Sequence, residues 1–85
     1  MGRLSRYVGN TPLIPIRFGG YTVWGKCEFM NPGGSVKDRM ATYILNDAEK
    51  RKLIKKGDTL IEATSGNTGI AFAMLAAERG YNMKI

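Results

Sequence analysis

Lys37 lies inside the run Asn31-Pro32-Gly33-Gly34-Ser35-Val36-Lys37-Asp38-Arg39, and Thr64-Ser65-Gly66-Asn67-Thr68-Gly69 follows one strand later. The first run sets an amine at the start of a helix. An amine attacks a carbonyl only when neutral, and a free lysine has a pKa of about 10.4. Positive potential at a helix N-terminus favours the neutral form; Arg39 would add to it and Asp38 would oppose it. Such a lysine is a candidate for Schiff-base chemistry with an aldehyde cofactor. The alternative is a solvated lysine in a first helical turn. Two facts speak against it: lysine has the wrong sign for a helix start, and Gly33-Gly34 lets backbone approach a ligand.

The second run turns a strand into a helix, where free backbone N–H groups gather and favour an anion. Thr64, Ser65 and Thr68 bring hydroxyl donors, Asn67 an amide, and Gly66 and Gly69 bare backbone. A carboxylate or a phosphate would fit. An ordinary capped turn accounts for one hydroxyl residue, but not for four polar side chains beside two glycines. The run is not a P-loop, because no lysine follows the second glycine, and it is not a G-x-G-x-x-G fingerprint.

The elements that must hold these runs are legible from periodicity. Residues 3–10 read as a short helix or turn, and Thr11-Pro12 as a break. Residues 13–18 and 21–29 read as two strands of a hairpin around Gly19-Gly20. A helix is predicted over 35–53, with Ser35 as cap and Asp38 completing a variant capping box. Val36, Met40, Tyr43 and Ile44 would form its buried face. A strand over 59–63 follows. The helix predicted over 66–79 is apolar nearly all round and should be buried, with Gly80 as its stop. A last strand begins at 82–85. Helix, strand, helix, strand describes an α/β unit on a parallel sheet. The chain divides into a hairpin with lead-in loop over 1–34 and the α/β unit over 35–85.

Bulk composition narrows the function classes. At 85 residues and 44% hydrophobic, the chain has room for at most one small domain. The net charge of +6 is scattered. Its densest cluster, Lys50-Arg51-Lys52 with Lys55-Lys56, falls at a predicted helix end, where cations complement the dipole. Without interleaved aromatics this does not describe a nucleic-acid surface. Cys27 is the only cysteine and there is no histidine, so neither a disulfide framework nor a zinc site is expected, in keeping with a reducing, cytoplasmic setting. No signal peptide and no apolar run of membrane-spanning length is evident.

The motifs resemble the fold-type II pyridoxal-phosphate enzymes, and within them the cysteine synthase family. Gly9-Asn10-Thr11-Pro12-Leu13, Lys26-Cys27-Glu28, Asn31-Pro32 with Ser35-Val36-Lys37-Asp38-Arg39, and Glu62 through Gly69 on to Ala76-Ala77 and Gly80-Tyr81 carry the resemblance. It covers nearly the whole chain in order. Ala63 departs from it, where the family often has proline. The resemblance implies that Lys37 binds pyridoxal 5'-phosphate and moves the proton of the substrate α-carbon. It implies that Asn67 hydrogen-bonds the cofactor's ring oxygen, and that Thr64, Ser65, Gly66 and Thr68 hold the amino-acid carboxylate. The implied reaction is β-replacement of O-acetylserine by sulfide, giving cysteine and acetate, in a full-length homodimer. The family's phosphate loop and the serine that meets the pyridine nitrogen lie downstream of residue 85, so residues 1–85 are expected to be an incomplete N-terminal portion. Two alternatives stand beside this one. One is cystathionine β-synthase-like chemistry with homocysteine as nucleophile. The other is an inactive remnant or binding module.

Overall fold

The computed structural model describes residues 4–64 and 66–85. A 3-10 turn at Leu4–Tyr7 leads into strands β1 (Leu13–Phe18) and β2 (Tyr21–Lys26), an antiparallel hairpin in the register Phe18↔Tyr21 to Leu13↔Lys26. Gly19 takes φ +60° at the first position of the two-residue turn, where a side chain would be strained. Pro15 is tolerated because a two-stranded hairpin consists only of edges. The second strand is shorter than its predicted span of 21–29: after Lys26 the chain winds into a 3-10 turn at Glu28–Met30. That turn swings the Glu28 carboxylate toward the helix that follows.

Helix α1 runs Lys37–Lys50, against the predicted 35–53. It stops early because Lys52 adopts left-handed backbone (φ 60°), and the Leu53 N–H returns to the Ala48 carbonyl at 2.9 Å. This is the closure glycine usually makes, here made by lysine. Strand β3 (Thr59–Ile61) and strand β4 (Asn82–Lys84) are parallel neighbours joined through helix α2 (Asn67–Arg79). Gly80 ends α2 at φ +81°, as its sequence position suggests. The predicted hairpin followed by helix, strand, helix and strand is therefore present.

The core lies between α1, α2 and the β3–β4 pair: Ala41 and Leu45 from one helix, Ala71, Phe72, Leu75 and Ala76 from the other, and Tyr81 below. The buried face of α1 differs from the predicted one. Val36, Met40, Tyr43 and Ile44 are exposed, Tyr43 by 74%, and the ridge Asp38, Ala41 and Leu45 is buried instead. Small side chains let two helix backbones approach closely, so the face of α1 that carries Ala41 packs into the core with Ala71 and Ala76 of α2, and the larger residues one face away do not. Helix α2 is also less enclosed than its composition suggests, since Ile70 stays 53% exposed.

Both helices are fastened at their C-terminal ends. Arg79 donates to Glu49 at 3.1 Å and to the Ser5 hydroxyl at 3.2 Å, and Tyr81 donates its hydroxyl to Glu49 at 2.5 Å. Ser5 in turn donates to Glu78 at 3.0 Å, tying the N-terminal turn to the foot of α2.

Candidate functional site

The Glu49–Arg79 pair joins the C-terminal ends of α1 and α2, which pack against each other. Lys37 stands twelve residues before Glu49, and Asn67 twelve residues before Arg79. At 1.5 Å per residue both lie about 18 Å up their helices. The sequence-predicted lysine and the predicted polar loop thus lie at the starts of two packed helices, each about the same length away from the joined ends.

The turn before Lys37 is held from within. Gly34 takes φ +91° and its N–H donates to the Asn31 carbonyl at 2.8 Å. Ser35 is buried, and its hydroxyl oxygen accepts from the Lys37 N–H at 3.2 Å. Ser35 is therefore not the cap expected from the sequence: Val36 holds the N-cap position without a side-chain cap, because the helix begins at Lys37, and Ser35 braces the turn one residue earlier. Asp38 does not close a capping box onto Ser35. Its side chain is fully buried, and its carboxylate accepts from the Gly33 N–H at 2.5 Å. A Cβ on Gly33 would stand 2.9 Å from Asp38 Cγ, so the backbone approach here requires glycine. Lys37 itself is exposed, and its amine is in no ion pair among the described residues.

Arg39 does not lend Lys37 positive potential as the sequence suggested. Its Nε meets Glu28 Oε1 at 2.5 Å and its Nη2 meets Glu28 Oε2 at 3.0 Å, a two-pronged pair that largely neutralises the guanidinium. The Thr11 hydroxyl donates to the same carboxylate, and Asn31 Nδ2 reaches it at 3.2 Å. Asn31 is buried and spans further: Nδ2 donates to the Ser35 carbonyl at 3.0 Å, while Oδ1 accepts from the Gly9 N–H at 2.7 Å. Lys26 completes the knot by donating to the Thr11 carbonyl at 2.6 Å. Sequence reasoning saw these residues only as motif letters. The signal available was polar residues bracketing Pro12 and Pro32, and it does not tell which pairs with which.

The Arg39 guanidinium, then the Thr11 hydroxyl and the Asn31 amide, pull the Glu28 carboxyl down from 4.5 to about 2, with partial burial opposing them. A depressed folded-state pKa stabilises above the unfolded value and is lost as pH falls toward the folded one. Denaturant midpoints of the wild type and Glu28→Gln should therefore differ by a constant amount above about pH 5, with the gap closing between pH 4.5 and about 2. A gap that widens on acidification would contradict the network.

In the second loop Thr64 is half-buried, and its hydroxyl oxygen accepts from the Gly66 N–H at 3.3 Å and the Gly69 N–H at 3.1 Å. It thereby satisfies two of the amides that a helix start leaves open. Gly69 is needed because a Cβ there would come within 2.7 Å of Thr64 Cγ2. Gly66 and Asn67 are exposed and Thr68 is half-buried. Ser65 lies outside the described residues. An open apolar groove runs from Thr64 and Gly66 along Ile70 and Ala73 to Ile85. Among the described residues no cluster of His, Cys, Asp and Glu could hold a metal ion, and no helix is long and apolar enough to cross a membrane.

Comparison with known proteins bears on the fold and the family. The chain is 57% identical to cysteine synthase B of Escherichia coli (strain K12); the match takes in the whole chain and 29% of that protein. It is 55% identical to cystathionine beta-synthase of Apis mellifera over 87% of this chain and 16% of that one. A solved hydrogen sulfide-producing enzyme from Fusobacterium nucleatum superposes with a TM-score of 0.92 at 44% identity, covering 100% of this chain and 29% of the other. The chain thus spans less than a third of the length of these relatives. The sequence profile of one family, "Pyridoxal-phosphate dependent enzyme", matches residues 4–85, nearly everything described above, and the chain belongs to that family.

Proposed function

We propose that these residues supply the cofactor lysine and the amino-acid carboxylate loop of a pyridoxal-phosphate enzyme that makes cysteine from O-acetylserine and sulfide by β-replacement. The observation that carries the reading is that Lys37 and Asn67 begin two packed helices, each twelve residues from the Glu49–Arg79 pair that joins the opposite ends. The residues fit the cofactor. Lys37 offers an exposed amine without an ion-pair partner among the described residues, and Asn67 offers an exposed amide. Gly66 and Gly69 keep the loop backbone bare beside them.

Pyridoxal phosphate, when bound, draws electrons away from the substrate α-carbon and makes its proton removable. Lys37 would hold it through Nζ and would carry that proton. Asn67 would orient the ring, its amide being a donor for the ring oxygen. The Gly66 and Thr68 end of the loop, with Ser65, receives the substrate carboxylate at a helix N-terminus, where an anion is favoured. Thr64 shapes that loop by capping it, and its hydroxyl hydrogen remains to be donated outward. A homocysteine-using reading keeps all of these roles and changes only the nucleophile; the 55% identity to a cystathionine beta-synthase supports it as the second choice.

The test is borohydride reduction of a full-length, cofactor-loaded protein carrying this segment, followed by peptide mapping. The label is expected on Lys37. Label on Lys26 or Lys84 would overturn the assignment.

A further inference from the structure

We propose that Glu28 is the positioning residue for Lys37, fixing the first turn of α1 from both sides at once. This rests on the reading of Lys37 as the cofactor lysine. Two routes leave the Glu28 side of the 3-10 turn and end two residues either side of Lys37. On one, the carboxylate grips Arg39 through Nε at 2.5 Å and Nη2 at 3.0 Å. On the other, Asn31 Nδ2 bridges Glu28 Oε1 at 3.2 Å and the Glu28 carbonyl at 3.0 Å to the Ser35 carbonyl at 3.0 Å, and Ser35 Oγ accepts the Lys37 N–H.

The geometry has a purpose that packing alone does not require. Val36, Lys37 and Met40 are exposed, so the start of α1 has little apolar burial to hold it. Helix ends fray when only their own hydrogen bonds restrain them. A reacting amine has to be held closely, since small misplacements cost rate steeply. The polar clamp replaces the missing burial and leaves the lysine side chain itself untouched. Thr11 and the Gly9 N–H, which closes on Asn31 at 2.7 Å, bring the N-terminal segment into the same clamp. Residues far apart in sequence thereby converge on one turn.

The test uses a full-length protein carrying the segment, first without cofactor. In Glu28→Ala, amide hydrogen exchange at residues 35–39 is expected to rise by about ten-fold or more, the scale of losing charge-assisted hydrogen bonds, while residues 71–76 keep their rates. On adding pyridoxal phosphate, the rate of borohydride-trappable attachment at Lys37 should fall by about ten-fold with it. If Glu28→Ala fails to fold, Glu28→Gln keeps the size and removes the charge that holds Arg39, with the same two changes expected at about three-fold. Unchanged exchange at 35–39, or a rise shared equally by 71–76, would overturn the proposal. Label that never falls on Lys37 in the wild type defeats the proposed function, while the exchange measurement still decides the role of Glu28.

Discussion

Lys37→Ala in a full-length protein carrying this segment is expected to lower β-replacement turnover by about 10³-fold or more, with the melting transition nearly unchanged. The two halves of that expectation come from different observations. Loss of a positioned proton-transfer group alone costs about 10²–10⁴ in rate, and loss of the amine that anchors the cofactor adds to it. Stability should hardly move because Lys37 is exposed and forms no ion pair with the described residues. Surface substitutions of that kind usually stay within about 0.5 kcal/mol. Alanine is also a better helix former than lysine, and removing a cation from the positive end of α1 relieves a small repulsion. Steady-state cysteine formation from O-acetylserine and sulfide, read beside a denaturation curve, checks both. Turnover within ten-fold of wild type would remove Lys37 from the chemistry.

The order of elements was legible because it follows from local signals. Gly19-Gly20 between alternating strands marks a hairpin, and Gly80 after an apolar helix marks a stop. The chemical runs stood out for a related reason: a lysine has the wrong sign for a helix start, and four polar side chains beside two glycines exceed what a single cap needs, and such local excesses are where a function is sought. Three features were not legible. The end of α1 was placed too late because nothing local announces that Lys52 will take φ +60°. Its buried face was misassigned because hydrophobicity favours Tyr43 and Ile44, whereas the contact with α2 selects the smaller Ala41. The Glu28–Arg39 pair crosses eleven residues of loop and turn, so periodicity cannot register it, and the capping pattern instead drew attention to Asp38. That aspartate turned inward to Gly33, a contact set by backbone path and not by spacing along a helix.

Residues 1–85 produced alone are expected to fold marginally or self-associate, and to form no cysteine. The radius of gyration is 15.4 Å, whereas a compact domain of this length would have about 12 Å. The difference reflects a hairpin that packs little of itself: every residue of β1 is exposed, Phe18 and Tyr21 by 77% and 79%, and Trp24 by 61%. At the other end, the parallel pair has only three residues in each strand, and Ile61 is 75% exposed. Parallel strands are normally covered on both faces, and open edges beside apolar surface promote association. The core of Leu45, Phe72 and Leu75 is real but small. Sedimentation velocity across a range of concentrations should show mass rising with concentration, and the thermal transition should be broad. Cofactor added at modest concentration should not stay with the protein through gel filtration. A sharp, monomeric melt accompanied by turnover would show that the two helix N-termini carrying Lys37 and Asn67 suffice on their own, and that the exposed hairpin and β3–β4 edges need no cover.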